Sequence, residues 1–306
     1  MKHRISLPPE LGTRFSVRDA EHHGVGRKRY SARDLARPYA GVRAREMPLT
    51  FIEHVECYVP RLRPGQLFAG RTALRLWGLP FPVRWTATER LDIAVATGTS
   101  PPRTVGVRGR RIAPGRADAW QIGEAPVIDP VAALFLCAQE LARVPMVVAL
   151  DALTTAADNY PGLVVGRPVA TVPMIEERLA AWGRFPACGQ VRAALPWVRD
   201  AVESPKETET RMLLLDAGLP EPDVQHVVRV AGRLVARVDL AYPQWRIAIE
   251  YEGDGHRTDR EQWRTDIRRQ RDLEDCGWIV IRITELDLCD GGEALVARIR
   301  RAIASR

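Results

Sequence analysis

Two stretches decide how the chain is read: Leu234-Val235-Ala236-Arg237-Val238-Asp239-Leu240 and Arg246-Ile247-Ala248-Ile249-Glu250-Tyr251-Glu252-Gly253-Asp254-Gly255-His256. Their aliphatic, β-branched runs predict two strands. Asp239 interrupts the first, and Glu250 and Glu252 end the second two residues apart, hence on one side of it. Ala231-Gly232-Arg233 predicts a hairpin turn joining Val224–Val230 to the first strand.

Working outward, Ser204 is an N-cap, Pro205 takes the first helical position and Glu207 the first turn, with Met212, Leu213 and Leu215 as the buried side. A helix is predicted from about Asp259 to Cys276, a central apolar strand over Trp278–Ile283 and a closing helix over residues 292 to 304. The order helix, three-strand meander, helix, strand, helix defines an α/β (α+β) domain with a mixed sheet over residues 200–306.

Antiparallel pairing of the two deciding strands brings Asp239 beside Glu250. Together they offer the hard oxygen ligands that Mg²⁺ or Mn²⁺ takes, leaving positions for water and phosphate. That is a phosphodiesterase site in outline. His256, after the Gly253-Asp254-Gly255 turn, is of a residue type that can give or take a proton near neutral pH, although such a turn taken alone is more often a solvent-facing one. The following helix carries Arg260, Arg264, Arg268, Arg269 and Arg271. Arg264 and Arg268 are selected for phosphate contact, while others can pair with Glu261, Asp266, Asp272 and Glu274 along the helix.

With 306 residues, 46% hydrophobic and 27% charged, the chain has room for two or three domains and the balance of a soluble globular protein. The N-terminus lacks an apolar signal segment, and no run reaches the roughly 18 apolar residues of a membrane span, so a cytoplasmic protein without membrane contact is expected. Five scattered cysteines without CxxC spacing argue against a disulfide framework or a zinc site. The net charge of +7 lies in residues 1–45, where eleven Lys/Arg face four Asp/Glu; the remainder is balanced. Such an arm suits a DNA partner, and equally a solvated surface. Residues 1–45 are read as a winged helix-turn-helix: Ser16 caps a first helix, Gly24 to Gly26 break it, a second starts at Ser31-Ala32-Arg33-Asp34-Leu35, and Tyr39–Arg43 is the wing. Arg27, Lys28, Arg29 and Arg33 sit where a recognition helix meets DNA.

Residues 46–199 are read as an α/β middle domain. It contains a capped helix within Phe68–Pro80, strands at 91–95 and 104–108, and helices at 130–142 and 147–157. No catalytic cluster is visible there, and Asp151 and Asp158 are assigned to the surface or to caps. Residues 196–204 read as a linker.

Ser204-Pro205-Lys206-Glu207, Arg237-Val238-Asp239-Leu240, Ile249–His256, Gln262-Trp263 to Arg271 and Gly277-Trp278-Ile279-Val280 together resemble the very-short-patch-repair-endonuclease-like domains of the PD-(D/E)XK nuclease superfamily. The resemblance implies a restriction-endonuclease-like fold, Asp239 and Glu250 as metal ligands, Glu207 as the helical acidic residue and preferred over Glu209, Glu252 and His256 in the remaining catalytic positions, and cleavage of DNA. Glu252 stands where the superfamily usually has Lys and this offshoot more often Asp. The phosphate-stabilising charge must then come from a second metal, His256 or an arginine, and a domain that binds without cutting stays open. The N-terminal two thirds, with Ala69–Pro80, resemble AbiEi-type bacterial antitoxins, whose winged helix binds DNA and represses transcription. The expectation is a Mg²⁺- or Mn²⁺-dependent DNA endonuclease without a small-molecule cofactor; the alternative is a non-catalytic, antitoxin-type transcriptional regulator.

Overall fold

A computed structural model describes residues 6–162, 166–253 and 260–306, the side chains of 260–264 excepted. The fold is mixed α and β, and it forms two compact units: residues up to Glu140 with Glu177–Cys188, and Leu141–Glu176 with Gly189–Arg306. The predicted boundary near residue 200 therefore falls inside the second unit.

The first unit opens with β1 (Arg14–Ser16), α1 (Val17–His22), α2 (Arg27–Tyr30), β2 (Val42–Ala44) and α3 (Phe51–Tyr58). Ser16 caps α1 as expected, in a reciprocal capping box with Asp19. The second helix is not at residues 31–35. It is the single turn of α2, after which the chain folds through turns held by an Arg29–Asp34 ion pair so that Ala36 can bridge Ala44. The strand follows Gly41 rather than spanning Tyr39–Arg43, and β2 pairs antiparallel with β1. Leu11, Phe15, Ala20, Val25, Tyr30 and Leu35 close a small core beneath these pieces.

Next come β3 (Leu67–Phe68), α4 (Gly70–Leu76), β4 (Leu91–Ala96), β5 (Val107–Ile112), β6 (Ala119–Ile122), β7 (Ala125–Ile128) and α5 (Pro130–Cys137). The sheet order is β5-β4-β3-β7-β6. The strand expected at 104–108 starts only at Val107 because Gly106, at φ 81°, still belongs to the turn. Asp92, buried in β4, is neutralised by Arg108 and Arg110 and accepts from the Arg71 N–H at the start of α4. Gly70 permits this close approach: a Cβ there would lie 2.7 Å from Asp92 Oδ2.

The second unit contains α6 (Arg143–Thr154), the first part of α7 (Val172–Trp182), α8 (Cys188–Ala194) and α9 (Pro205–Asp216). It continues with β8 (Asp223–Val230), β9 (Arg233–Tyr242), β10 (Ile247–Tyr251), α10 (Arg260–Asp275), β11 (Ile279–Ile283) and α11 (Glu293–Ala304). From α9 onward this is the predicted helix, meander, helix, strand, helix order. The sheet runs β11-β10-β9-β8, antiparallel except for the parallel β10–β11 pair. Ala231 and Gly232, both at positive φ (50° and 82°), make the two-residue hairpin turn that matches strand twist. β11 is an edge strand, not the central one expected from its apolar sequence. In place of a neighbouring strand, Arg298 of α11 donates to the Arg282 carbonyl at 3.1 Å.

One face of the sheet packs Leu240, Tyr242, Ile247, Ile249, Ile281 and Ile283 against Leu214 of α9 and Leu295 and Ile299 of α11. The other packs Val238, Ala248, Val280 and Trp278 against Leu273 of α10. The buried side of α9 differs from the expected apolar stripe, because Glu207, Thr208, Thr210 and Arg211 are buried with Met212 and Leu214. Asp151 of α6 explains part of this. Far from being a surface or capping group, it is fully buried and accepts from the Thr208 hydroxyl (2.7 Å), Arg211 (3.1 Å) and the Arg199 N–H (2.8 Å). Arg211 also reaches Glu221 (2.9 Å) and the Trp197 carbonyl (2.7 Å). The segment read as a linker is thus tied down at Trp197 and Arg199, and Thr155 adds a 2.6 Å bond to the Val202 carbonyl.

A buried pair is costly to break from one side, since the remaining charge loses its partner. Arg211→Met should therefore destabilise the second unit by about 3–5 kcal/mol, measured by urea unfolding. A change below about 1 kcal/mol would show that the network does not hold α6 to α9.

Candidate active site

The β9–β10 ladder runs from the Tyr242–Ile247 pair to the Leu240–Ile249 pair. Two residues beyond Ile249 the Tyr251 N–H is taken by a side chain, Asp239 Oδ2, at 2.9 Å. β10 meanwhile stays paired with β11, through Glu250 opposite Arg282 and Tyr251 opposite Ile283, and the Glu252 N–H continues to the Ile283 carbonyl at 2.7 Å. Asp239 and Glu250 thus stand where two strands part, a place an apolar side chain would otherwise fill.

Glu207, in the first turn of α9, lies near enough to Asp239 to feel its charge. It is 4% exposed, and its Oε2 accepts from the Glu203 N–H (3.0 Å) and from Gln225 Nε2 of β8 (2.9 Å). Gln225 adopts φ 49°, a conformation uncommon for a residue with a side chain, to make that contact. Glu209, its rival in the sequence, turns away to Lys206 at 2.7 Å.

Burial raises the pKa of Glu207 to about 7, and the nearby Asp239 carboxylate adds to the rise. Asp239 is raised by burial too, against the opposing effect of the Tyr251 N–H and Arg269. Glu250 is raised by burial and by Asp239, with Arg269 acting the other way. The charge of Asp239 is thus felt by both Glu207 and Glu250 in a poorly solvated place, which is the electrostatic condition a cation relieves. Among the described residues no group of three or more Asp, Glu, His or Cys side chains is already gathered as a ligand cage. Asp239 and Glu250 nevertheless suit Mg²⁺ or Mn²⁺, which commonly takes one or two carboxylates and keeps water and phosphate in its other positions.

Arg269 of α10 ion-pairs with Glu250 and donates to the Arg237 carbonyl at 2.6 Å; Arg282 of β11 ion-pairs with Glu252. Arg237 pairs with Glu203 at 2.7 Å. Of the arginines selected from sequence, Arg268 is exposed and the Arg264 side chain lies outside the described residues, as does His256. Arg27, Lys28 and Arg33 are exposed, whereas Arg29 is engaged with Asp34.

No family model matches the chain. It is similar to two proteins of Mycobacterium tuberculosis strains, the uncharacterized proteins MT2308 and Rv2248, each 36% identical over 111 residues. The match covers 36% of this chain and 41% of theirs. The crystal structure of the Rv2827c protein from Mycobacterium tuberculosis aligns over 73% of this chain and 86% of its own, with a TM-score of 0.36 and 14% identity. That score is too low to equate the folds.

Reading by sequence missed Gln225 and Arg282, and named Arg269 on the basic helix without selecting it. Arg269 had a signal: it lies four residues before Leu273, so the two share the helix face that packs on the sheet, while Arg268 is turned some 100° away. Arg282 had none, since its placement depends on the parallel register with β10.

The pKa of Glu207 yields a signed expectation. Raised from its ordinary 4.5 to about 7, the carboxyl holds its proton more tightly in the folded chain. Its favourable contribution is full below the unfolded value and is lost as pH rises through about 7. Glu207→Gln should therefore raise unfolding stability in EDTA at pH 8 by about 1–3 kcal/mol and leave it nearly unchanged at pH 5. A loss of stability at pH 8 would contradict the assignment.

Proposed function

We propose that the second unit is a divalent-metal-dependent DNA endonuclease domain, hydrolysing phosphodiester bonds at Asp239 and Glu250. The observation that carries this reading is Asp239, beside the end of the β9–β10 ladder, with its charge felt by both Glu250 and Glu207, and all three carboxyl pKa values raised by burial. Natural sheets rarely place acids so without a chemical use, because burying like charges costs stability. The element order from α9 to α11 also fits the PD-(D/E)XK resemblance noted in the sequence.

In this reading Asp239 and Glu250 hold Mg²⁺ or Mn²⁺. The bound ion would polarise the phosphate and acidify a water. The chain's own residues do the rest. The Tyr251 N–H fixes one oxygen of Asp239, Gln225 and the Glu203 N–H fix Glu207, and Arg269 sets the rotamer of Glu250. Glu207, near neutral pKa, exchanges a proton at the working pH. The exposed Arg27, Lys28 and Arg33 of the first unit are available to phosphates as a non-specific DNA contact. Among the described residues no helix is long and apolar enough to cross a membrane, and the reading places the protein with DNA in the cytoplasm.

The test is conversion of supercoiled plasmid to nicked or linear form with Mg²⁺ or Mn²⁺. Asp239→Asn and Glu250→Gln should each slow it by at least about 100-fold. Absence of cleavage by the wild-type chain across several divalent metals would remove the proposal, and undiminished cleavage by the variants would trace activity to a contaminant.

A further inference from the structure

The parallel register sets Arg282 opposite Glu250. Ala248 and Val280, each two residues earlier, pack in the cluster with Leu273, so Glu250 and Arg282 project from the α10 face of the sheet. Arg282 is half-buried and ion-paired with Glu252, its charge also reaches Glu250, and its guanidinium makes a further long hydrogen bond of 3.4 Å to the Asp266 carbonyl. Its Nε is buried without a hydrogen-bond partner among the described residues. A guanidinium has five N–H donors in a planar fork, a shape that matches two oxygens of a phosphate. Arg282 is therefore a cation beside the carboxylate fork with donors to spare. Arg269 has an unpartnered Nε as well, but its ion pair is with Glu250, one of the two carboxylates assigned to the cation, and it also holds the Arg237 carbonyl.

Glu252 completes the arrangement. Its backbone is fixed by the Ile283 carbonyl and its side chain is 41% exposed, so it can aim Arg282 from the solvent side while a phosphate takes part of the guanidinium. We propose that Arg282, aimed by Glu252, binds the non-bridging oxygens of the DNA phosphodiester presented to the Asp239–Glu250 fork. The location rests on the nuclease reading, but the binding does not require that the domain cut. Glu252 is then a positioning residue, and the cation of the site comes from the neighbouring strand.

The experiment measures binding of a 20-base-pair duplex by fluorescence anisotropy in Ca²⁺, from about 50 to 200 mM salt. Arg282→Gln should weaken binding about tenfold and lessen the log–log salt slope by about 0.9, the loss of one phosphate contact. Arg282→Lys keeps the ion pair and hence the fold. It should keep the slope and lose about threefold in affinity, because an ammonium does not fork across two oxygens. Glu252→Gln should leave the slope unchanged. Wild-type affinity and slope in both Arg282 variants would overturn the inference. Cleavage in Mg²⁺ separates the two proposals. A wild-type chain that cuts, with an unchanged slope in Arg282→Gln, leaves the nuclease reading and removes this one. A chain that never cuts but loses slope on Arg282→Gln removes the nuclease reading and leaves Arg282 as a phosphate ligand.

Discussion

Burial of three carboxyl groups, with Asp239 acting on the other two, is the constraint around which the candidate site of the second unit is built. Glu207, Asp239 and Glu250 come from three different elements, α9, β9 and β10; burial makes each harder to ionise, and the charge of Asp239 adds to the effect on the other two. The surrounding structure is arranged to tolerate this. Tyr251 gives up a ladder hydrogen bond to Asp239, Gln225 takes an unusual backbone conformation to reach Glu207, and Arg269 is drawn off α10 onto Glu250. These local departures from regular structure lie around one point, as functional sites typically show.

The position of α9 follows from the same requirement. To deliver Glu207, the helix must bury its N-terminal, polar half, which has no apolar stripe to hold it. Arg211, one turn further along, anchors it through the buried Asp151 of α6, and this is why α6 belongs with the sheet. Support for the site therefore extends to residues some fifty positions earlier in the sequence.

Much of this was legible beforehand where short-range rules operate. Ser204 and Pro205 mark the start of α9, Ala231-Gly232 marks the hairpin, and the carboxylates in apolar strands mark Asp239 and Glu250. Long-range pairing was not legible. Asp151 looked like a surface residue because its partner is sixty positions away, and β11 looked central because an apolar edge strand covered by a helix has the same composition as a central one. The second N-terminal helix was misplaced because Gly26 starts α2 four residues after α1, and the need to bring Ala36 to Ala44 overrides the helix signal at Ser31.

The central claim is that Asp239 and Glu250 receive a divalent cation and that Glu207 gives up its proton when the neighbouring charge is neutralised. Calorimetric titration with Mn²⁺ at pH 6.5, in two buffers of different ionisation enthalpy, measures both at once. The expected result is one ion per chain with release of a measurable fraction of a proton, a smaller release in Glu207→Gln, and no binding when Asp239→Asn and Glu250→Gln are combined. Undiminished binding in that double variant, or binding by the wild type without proton release, would contradict it.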